Sequence, residues 1–288
     1  MRFRILGCWP LRGGALLLIA AAAALALPAP AARAGALTIG GSGTGLGAMR
    51  LLAGAFESAH PDVRITVVPS LGTGGGIRAL ADGAISLAVI SRPLKDAERA
   101  RDMTAEEYAR TPFVFATAKK DAPSGFTLQQ FAEIYAGRMA RWPGGEQLRV
   151  VLRPRSDSDT AILEGMSPAM RGALEEARRR KGLKMAVTDQ ESAEAIGRIP
   201  GAIGTSTLAL ILSERHPLRA LSVDGVDPSP RTIADGTYPY YKRLYMVAGP
   251  KTPAAARQFA GFVRSAEGRG ILARTGHWVV GADADGRK

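Results

Sequence analysis

The sequence predicts an α/β fold in which most strands are parallel, and three observations support this prediction. Short runs of aliphatic and β-branched residues alternate along the chain with stretches of helical periodicity. Glycine-rich segments directly follow the first two predicted strands, where open parallel sheets place their ligand-binding loops. The composition, 46% hydrophobic and 22% charged over 288 residues, is that of a globular protein and excludes collagen-like, coiled-coil and disordered chains.

The N-terminal 34 residues have the three-part layout of a secretory signal peptide. Arginines precede an apolar run over residues 15–27, and the small residues at 32–34 follow a proline-rich stretch. The apolar run is shorter than the roughly 20 residues that a membrane-spanning helix needs. We therefore predict cleavage after Ala34 and a periplasmic protein, with a retained membrane anchor as the alternative.

Cleavage after Ala34 also changes the composition of the mature chain. Cys8 is the single cysteine and leaves with the signal, which excludes disulfides, thiol nucleophiles and cysteine-based metal sites. The signal holds four arginines and no acid, so 34 basic side chains then face 26 acidic ones and the net charge falls from +12 to +8. The basic run at 178–181 lacks interleaved aromatic residues, which favours a solvated helix end over a nucleic-acid site.

The first half of the mature chain repeats a unit of strand, glycine loop and helix. The predicted elements are a strand at 36–40, a loop at 41–47, a helix ending at 60, a strand at 63–68, a loop at 72–76, a helix ending near 83 and a strand at 85–90. Ser91 follows the third strand. Three polar segments therefore emerge at equivalent strand ends.

The alternation continues through the second half. Thr104 followed by Glu107 resembles a capping box and predicts a helix start there. The other predicted elements are strands at 113–118, 148–152, 202–204, 221–223 and 245–248 and helices at 127–135 and 253–265, with another ending at the 178–181 run. The strand at 148–152 delivers Arg153 and the polar tract 156–160.

The glycine loops predict anion binding without a cofactor. Backbone N–H groups bared by glycine at a helix start attract anions, because the helix dipole and the unpaired donors act together. Residues 43–48 fit the dinucleotide pattern G-x-G-x-x-A, but the next strand ends without an acid for the ribose. No Gly-Lys-Ser/Thr follows the glycines, which excludes a nucleotide P-loop.

Enzyme and metal chemistry find little support in the sequence. Ser42 lies one residue out of frame for the nucleophile elbow G-x-S-x-G. His60, His216 and His277 are dispersed along the chain, which favours ordinary histidines over a catalytic or metal-binding set.

Several segments together resemble the periplasmic phosphate-binding protein of ABC-type phosphate importers, in the type II periplasmic binding protein group. The carriers of the resemblance lie at 39–47, 71–77, 88–94, 126–137 with Trp142, 153–160, 200–204, Tyr238-Pro239 and 259–277. Their order and spacing extend the resemblance over nearly all of residues 36–280. The resemblance implies two α/β lobes joined by a two-strand hinge, with an anion buried between them. One lobe would comprise residues 36–113 plus 240–288 and the other residues 114–239.

The resemblance also implies which residues contact the ligand. Carried over by position, these are Ser42, Thr44, Gly45, Thr73, Gly74, Ser91, Arg153, Ser158, Asp159 and Thr160. The chain departs from the family pattern in three ways. Ser91 stands where phosphate binders usually place an aspartate, and Asp157 and Asp159 stand where glycines are usual. Arg153 lies five residues before Ser158 instead of four, which leaves Arg92 and Arg155 as alternative ligand contacts.

The resemblance therefore implies a monomeric binding protein that captures phosphate, or a similar tetrahedral oxyanion, and presents it to an ABC permease. No catalysis, metal, cofactor or nucleic acid is expected. Two alternatives remain open at this point. One is an envelope sensor or interaction protein with the same fold, and the other is a periplasmic hydrolase that uses Ser42 or Ser158.

Overall fold

A ten-stranded mixed sheet forms the centre of the structure, a computed structural model that describes residues 35–279. The predicted signal peptide and its cleavage site lie outside the described residues. The strands are β1 (Ala36–Gly41), β2 (Arg64–Val67), β3 (Leu87–Ile90), β4 (Thr104–Thr117), β5 (Gly125–Phe126), β6 (Arg149–Leu152), β7 (Lys184–Met185), β8 (Ala202–Thr207), β9 (Arg219–Val223) and β10 (Tyr241–Ala248).

Helices connect most of these strands, as the alternating pattern of the sequence predicts. They are α1 (Gly43–Ala59), α2 (Gly72–Asp82), α3 (Asp96–Arg99), α4 (Leu128–Ala136), α5 (Ser158–Met166), α6 (Pro168–Arg179), α7 (Asp189–Arg198), α8 (Leu208–Ser213), α9 (Pro230–Ala234), α10 (Ala254–Val263) and α11 (Ala266–Arg274). Between residues 35 and 279, no helix combines the length and apolarity that crossing a membrane requires.

The sheet is parallel towards both edges and antiparallel in its middle. The strand order is β2-β1-β3-β10-β4-β8-β6-β7, with β9 paired to β4 and β5 paired to β9. β1 pairs in parallel with β2 and β3, and β6 pairs in parallel with β7 and β8. The long strands β4 and β10 run antiparallel to each other and to their other neighbours on the path. The prediction of mostly parallel strands therefore holds for the two edges and not for the centre.

The two central strands contribute to two separate hydrophobic cores. Tyr108 and Ala109 of β4 pack with β1, α1, α10 and α11, whereas Phe113 and Phe115 pack with α4, α6, β6 and β9. Phe115 stacks on Phe131 of α4 at a ring-centroid distance of 3.7 Å. Two cores that share β4 fit the two-strand hinge that the resemblance implies. The boundaries at 113/114 and 239/240 stay a prediction.

The helix predicted from Thr104 is wrong, because this segment begins strand β4. Thr104 pairs with Ala248 and Glu106 with Met246, in an antiparallel ladder that continues to Pro112. The pattern Thr-x-x-Glu stabilises a helix start by binding its free backbone amides, so it has this effect only where a helix follows. Here, pairing with β10 overrides that local signal.

The two glycine loops are shorter than predicted, because the helices begin inside them. α1 starts at Gly43 and α2 at Gly72, so most of these glycines occupy first helical turns. Gly41 adopts a φ of 132°, and a Cβ there would lie 2.0 Å from the carbonyl oxygen of Val89. This glycine therefore allows β1 to approach β3 closely just before α1 begins.

His277 is buried in the turn after α11, and its burial predicts a loss of stability at acidic pH. Burial lowers the pKa of His277 to about 4, from an ordinary value of 6.5. Its Nδ1 lies 3.1 Å from the carbonyl oxygen of Leu272, and its buried Nε2 has no hydrogen-bond partner within the described residues. A histidine that is neutral when folded stabilises the fold above pH 6.5, and this contribution is lost as the pH falls towards 4. We expect acidification from pH 7 to 4.5 to cost about 2–3 kcal/mol of unfolding free energy through this residue alone.

Urea unfolding of His277→Leu at both pH values measures this contribution. The variant should lose about 2–3 kcal/mol less than the parent protein on acidification. The exposed His60 provides the control, and His60→Gln should keep the parent's pH dependence. Equal acid losses in the parent and in His277→Leu would contradict the assignment.

Candidate functional site

A cleft of about 710 Å³ opens where the segments after β3 and β6, the first turn of α2, the start of α7 and Ser42 before α1 meet. Six of the ten predicted contact residues line it, namely Ser42, Thr73, Gly74, Ser91, Arg153 and Ser158. The other four, Thr44, Gly45, Asp159 and Thr160, are not among its lining residues. Arg92 and Arg155, the alternative arginines, also line the cleft.

Three hydroxyl groups from different elements meet in this cleft. The Oγ1 of Thr73 lies 3.1 Å from the Oγ of Ser91 and accepts a hydrogen bond from the Ser91 amide at 3.2 Å. The Oγ of Ser91 lies 3.3 Å from the Oγ of Ser158. These residues come from α2, the end of β3 and the start of α5. The hydroxyl chain therefore joins the two parts of the protein that the resemblance places in different lobes.

The start of α2 has no side-chain cap. Leu71 occupies the N-cap position and provides no oxygen for the first-turn amides, of which that of Gly72 donates to the Oγ of Ser70 at 3.4 Å. Most other helices of comparable length, such as α4 with Thr127 and α7 with Thr188, have a capping hydroxyl. Thr73 and Gly74 lie in this first turn and line the cleft. An uncapped helix start beside hydroxyl groups is an environment that stabilises an anion.

The start of α5 differs, because two of the predicted ligand donors there are already bound. Asp157 is the N-cap residue and accepts a hydrogen bond from the Asp159 amide at 2.9 Å. Thr160 is buried, and its hydroxyl donates to the carbonyl oxygen of Pro154 at 2.9 Å. The predicted contacts through the Asp159 amide and the Thr160 side chain are thus occupied within the protein.

The first glycine segment is also occupied by protein groups. The Thr44 amide donates to Oδ2 of Asp189 at 3.1 Å, and the Gly45 amide donates to the Ser42 carbonyl oxygen at 3.2 Å. A Cβ at Gly45 would lie 2.6 Å from Cγ1 of Val89, so this glycine allows α1 to pack on β3. Ser42 alone of this segment lines the cleft.

Arg153 is almost fully buried at the inner wall, with 4% of its surface exposed. Its Nη2 donates to Oδ2 of Asp157 at 2.8 Å, and its Nη1 donates to the carbonyl oxygen of Ala186 at 3.0 Å. Nη2 also lies 3.6 Å from Oδ1 of Asp189. Nε also donates to Oδ1 of Asp157, at 3.4 Å. Three of the five N–H donors of the guanidinium are thus bound within the protein, which leaves two for a ligand.

Lys242 of β10 lies beneath this wall and is fully buried. Its Nζ forms an ion pair with Asp159, lies 3.4 Å from Oδ1 of Asp189 and donates to Oγ1 of Thr44 at 3.1 Å. Together with Arg153 and Asp157, these residues form what we call the charge cluster: Arg153, Lys242, Asp157, Asp159 and Asp189. Formal charges give two cations against three carboxylates.

The charge cluster shifts the pKa values of its members in opposite directions. Burial, followed by the charge of Asp159, raises the pKa of Asp157 above its ordinary value. Burial acts the same way on Asp189, but Lys242 and Arg153 outweigh it and hold the pKa of Asp189 below its ordinary value. Burial disfavours the Lys242 ammonium, yet Asp159 and Asp189 raise the pKa of Lys242 overall. Asp189 and Lys242 are therefore charged at neutral pH, and Asp157 takes up a proton more readily than a free aspartate.

Arg92 and Arg155 bind glutamates at the outer part of the cleft. Arg92 forms two hydrogen bonds to Glu98 at 2.7 and 2.8 Å, and Arg155 forms two to Glu175, both at 2.7 Å. Of the three arginines considered as ligand contacts, Arg153 is therefore the one at the inner wall.

Sequence reasoning missed two members of the charge cluster, Asp189 and Lys242. The strand parity of β10 contains a usable signal, because Lys242 shares its face with the buried Leu244. A lysine on a buried face requires a carboxylate partner. No comparable signal marks Asp189, which follows the capping Thr188 like any acid in a first helical turn.

Comparisons with known proteins agree with this architecture. The chain is similar to the phosphate-binding protein PstS of Bacillus subtilis (strain 168), with 23% identity over 234 residues that cover 77% of this chain and 74% of the relative. It is also similar to the crystal structure of a putative phosphate ABC transporter substrate-binding protein with bound phosphate from Clostridium perfringens. That match has a TM-score of 0.72 and 22% identity, and covers 85% of this chain and 100% of the other.

A periplasmic molybdate-binding protein from Azotobacter vinelandii matches with a TM-score of 0.58 and 15% identity, over 84% of this chain and 98% of the other. These likenesses confirm the predicted type II periplasmic binding protein fold. A family profile described as "PBP superfamily domain" matches residues 27–267. Because this match spans most of the sequence, the chain belongs to the PBP superfamily.

Proposed function

We propose that this protein captures phosphate in the cleft and presents it to an ABC permease. The observation that carries the proposal is the hydroxyl chain of Thr73, Ser91 and Ser158, which lies at the uncapped start of α2 in the cleft that Arg153 also lines. Hydroxyls, free amides and a guanidinium with donors to spare are what a tetrahedral oxyanion needs to replace its water.

Binding of this kind breaks no covalent bond. Affinity comes from preorganised donors. Because Ser158 already contacts Ser91 at 3.3 Å, opening about β4 and β10 would admit the anion between them, and reclosure would return Ser158 and Arg153 to it. The hydrolase alternative needs a base beside its serine. Within residues 35–279, the hydroxyl of Ser158 contacts Ser91 and not a histidine. His216 pairs with Glu214, and His277 contacts Leu272 and Thr275.

The carboxylates at the inner wall support phosphate over sulfate as the ligand. Asp157 and Asp189 both line the cleft, and a carboxylate accepts a hydrogen bond from a protonated phosphate oxygen. Sulfate has no such proton at neutral pH and would meet these carboxylates as like charges. The Ser91 hydroxyl can accept or donate and so discriminates weakly, whereas the carboxylates of Asp157 and Asp189 can only accept when ionised.

The same proposal places the protein in the periplasm as a monomer, after cleavage at Ala34. One solved structure of similar fold is a periplasmic molybdate-binding protein, and the layout of residues 1–34 is that of an export signal.

Titration calorimetry on the purified protein, freed of bound ligand by reversible unfolding and dialysis, tests the proposal. We expect phosphate to bind at least about tenfold more tightly than sulfate, because the carboxylates penalise an unprotonated anion. Absence of heat with phosphate, sulfate, molybdate and tungstate would refute oxyanion capture. Tighter binding of sulfate than of phosphate would refute the phosphate assignment alone.

Asp157→Asn sharpens the same experiment. Asparagine retains an oxygen that can cap α5 but removes the charge, so the preference for phosphate over sulfate should shrink. Asp121→Asn is the matched control, since Asp121 is exposed and pairs with Lys119 away from the cleft. An unchanged preference in Asp157→Asn would assign selection to Asp189 or to the hydroxyls.

A further inference from the structure

The cleft is larger than inorganic phosphate requires, and its outer part carries charge that the inner site does not use. We infer that the cleft also takes small phosphomonoesters that bear a second anionic group, and that it binds them more tightly than inorganic phosphate. This inference rests on the proposed function, because the phosphoryl group would occupy the hydroxyl chain of Thr73, Ser91 and Ser158.

Size is the first support. The cleft volume of about 710 Å³ lies within the range of roughly 300–1,000 Å³ that is typical of sites for organic ligands. A single oxyanion is comparable in size to a few water molecules, each of which takes up about 30 Å³. Most of the cleft would therefore remain outside the contacts of inorganic phosphate.

The distribution of charge is the second support. At the inner wall, the charge cluster contains more carboxylates than cations, so Arg153 brings no net positive charge there. The outer part of the cleft is lined by Arg78 and Lys95, whose side chains form no ion pair within residues 35–279. The hydrogen bond from Arg92 lowers the pKa of nearby Glu98, and the charge of Lys95 helps to lower it. The unpaired positive charge of the cleft thus lies at its mouth.

Arg78 is placed to reach a ligand held at the start of α2. It lies one helical turn after Gly74, and its guanidinium folds back over that turn, since a Cβ at Gly74 would lie 3.6 Å from Nη1 of Arg78. Lys95 ends the segment that follows Ser91. Both cations therefore belong to the segments that contribute Thr73 and Ser91, but lie farther along them.

Apolar side chains in the lining of the same cleft are the third support. Ile162 and Val187 line the same cleft, and Val187 is 63% exposed. A fully hydrated ion gains nothing from such a surface, whereas the carbon skeleton of an ester would cover it. Together, the hydroxyls suit a phosphoryl group, the apolar wall suits a short carbon chain, and the cations suit a second anion.

Calorimetry with three probes tests the inference. The three probes form a series. Inorganic phosphate has no carbon skeleton, glycerol 3-phosphate adds a three-carbon skeleton, and 3-phosphoglycerate has a carboxylate at the end of that skeleton. We expect 3-phosphoglycerate to bind about tenfold more tightly than glycerol 3-phosphate, which is the effect of two partly exposed cations on one carboxylate.

The double variant Arg78→Ala/Lys95→Ala should bring the two esters to nearly equal affinity. Its loss for 3-phosphoglycerate should exceed its loss for inorganic phosphate several-fold. Arg179→Ala is the matched control, because Arg179 is exposed and lies on α6 outside the cleft. This control should leave all three affinities unchanged.

The outcomes separate this inference from the proposed function. If inorganic phosphate binds but neither ester does, or if both esters bind equally to the parent protein, the inference is wrong and phosphate capture stands. Equal losses for all three probes in the double variant would place Arg78 and Lys95 on the phosphoryl group itself and would also overturn it. If none of the three probes binds, the proposed function fails first.

Discussion

Replacement of Arg153 by alanine is expected to lower the affinity for phosphate by about 100-fold or more, which is the effect of truncating one partner of a buried, hydrogen-bonded charge pair. Two effects add. The ligand loses a guanidinium donor at the inner wall, and Asp157 loses the cation that it contacts at 2.8 Å. Asp157, Asp159 and Asp189 would then share Lys242 alone, so the incoming anion would meet unbalanced negative charge.

Because Arg153 is buried, its removal also strains the fold, and a second variant keeps the prediction testable. Arg153→Lys retains the charge but replaces the planar fork by a single ammonium. We expect a loss of about tenfold in phosphate affinity for this variant. Near-ultraviolet circular dichroism shows whether each variant is folded, and titration calorimetry measures its affinity.

The control for this prediction lies in the basic run at 178–181. Arg179→Ala removes one positive charge from an exposed position at the end of α6 and should change phosphate affinity by less than about twofold. If Arg153→Ala and Arg179→Ala weaken binding equally, diffuse surface charge and not the cleft attracts the anion.

Local signals predicted most of the fold. The alternation of strand and helix, the end of a helix at His60 and the start of a helix at Thr127 each depend on neighbouring residues, and all three appear in the structure. The error at Thr104 shows the limit of such signals. A capping pattern is local, whereas the pairing of β4 with β10 joins residues more than a hundred positions apart.

The hydroxyls of the candidate site follow from strand ends, but its electrostatics do not. Thr73, Ser91 and Ser158 lie where loops after parallel strands are expected to meet, and the structure brings them together. Asp189 and Lys242 reach the same place from α7 and β10, through contacts that no sequence spacing encodes. The resemblance implied ligand contacts at Thr44 and Asp159, yet the structure shows these groups bound to Asp189, Asp157 and Lys242.

The formal charge of the chain is a poor guide to the field at the site. The predicted mature chain has an excess of basic residues, yet carboxylates outnumber cations in the charge cluster. Long-range attraction and short-range selection are therefore separate properties here. On the proposed function, basic side chains at the surface and the cleft mouth would increase the encounter rate of anions, while the inner carboxylates would select among them.

Replacement of Lys242 by methionine is expected to destabilise the fold by about 3–5 kcal/mol, as is typical when one partner of a buried ion pair is removed. Methionine has a similar shape and fills the space, so the loss reports charge and not a cavity. Without the ammonium, Asp159 and Asp189 remain buried with Arg153 as their nearest cation, at 3.9 and 3.6 Å. Urea unfolding at pH 7 measures the difference, with Lys184→Met on the exposed strand β7 as the matched control.

Two further measurements separate the electrostatic cause from a general disturbance of packing. Against the effect of burial, the charge of Lys242 is the largest influence that lowers the pKa of Asp189, so this pKa should rise in Lys242→Met. A group with a raised folded-state pKa stabilises the fold fully below its unfolded pKa, and this stabilisation is lost as the pH rises through the folded pKa. The deficit of Lys242→Met should therefore shrink on acidification from pH 7 towards pH 4.5. The double variant Lys242→Met/Asp159→Asn should recover part of the lost stability, because asparagine can still accept the hydrogen bond from Thr205 at 2.8 Å without a charge. A deficit that is independent of pH and is not relieved by Asp159→Asn would mean that Lys242 supports β10 by packing alone.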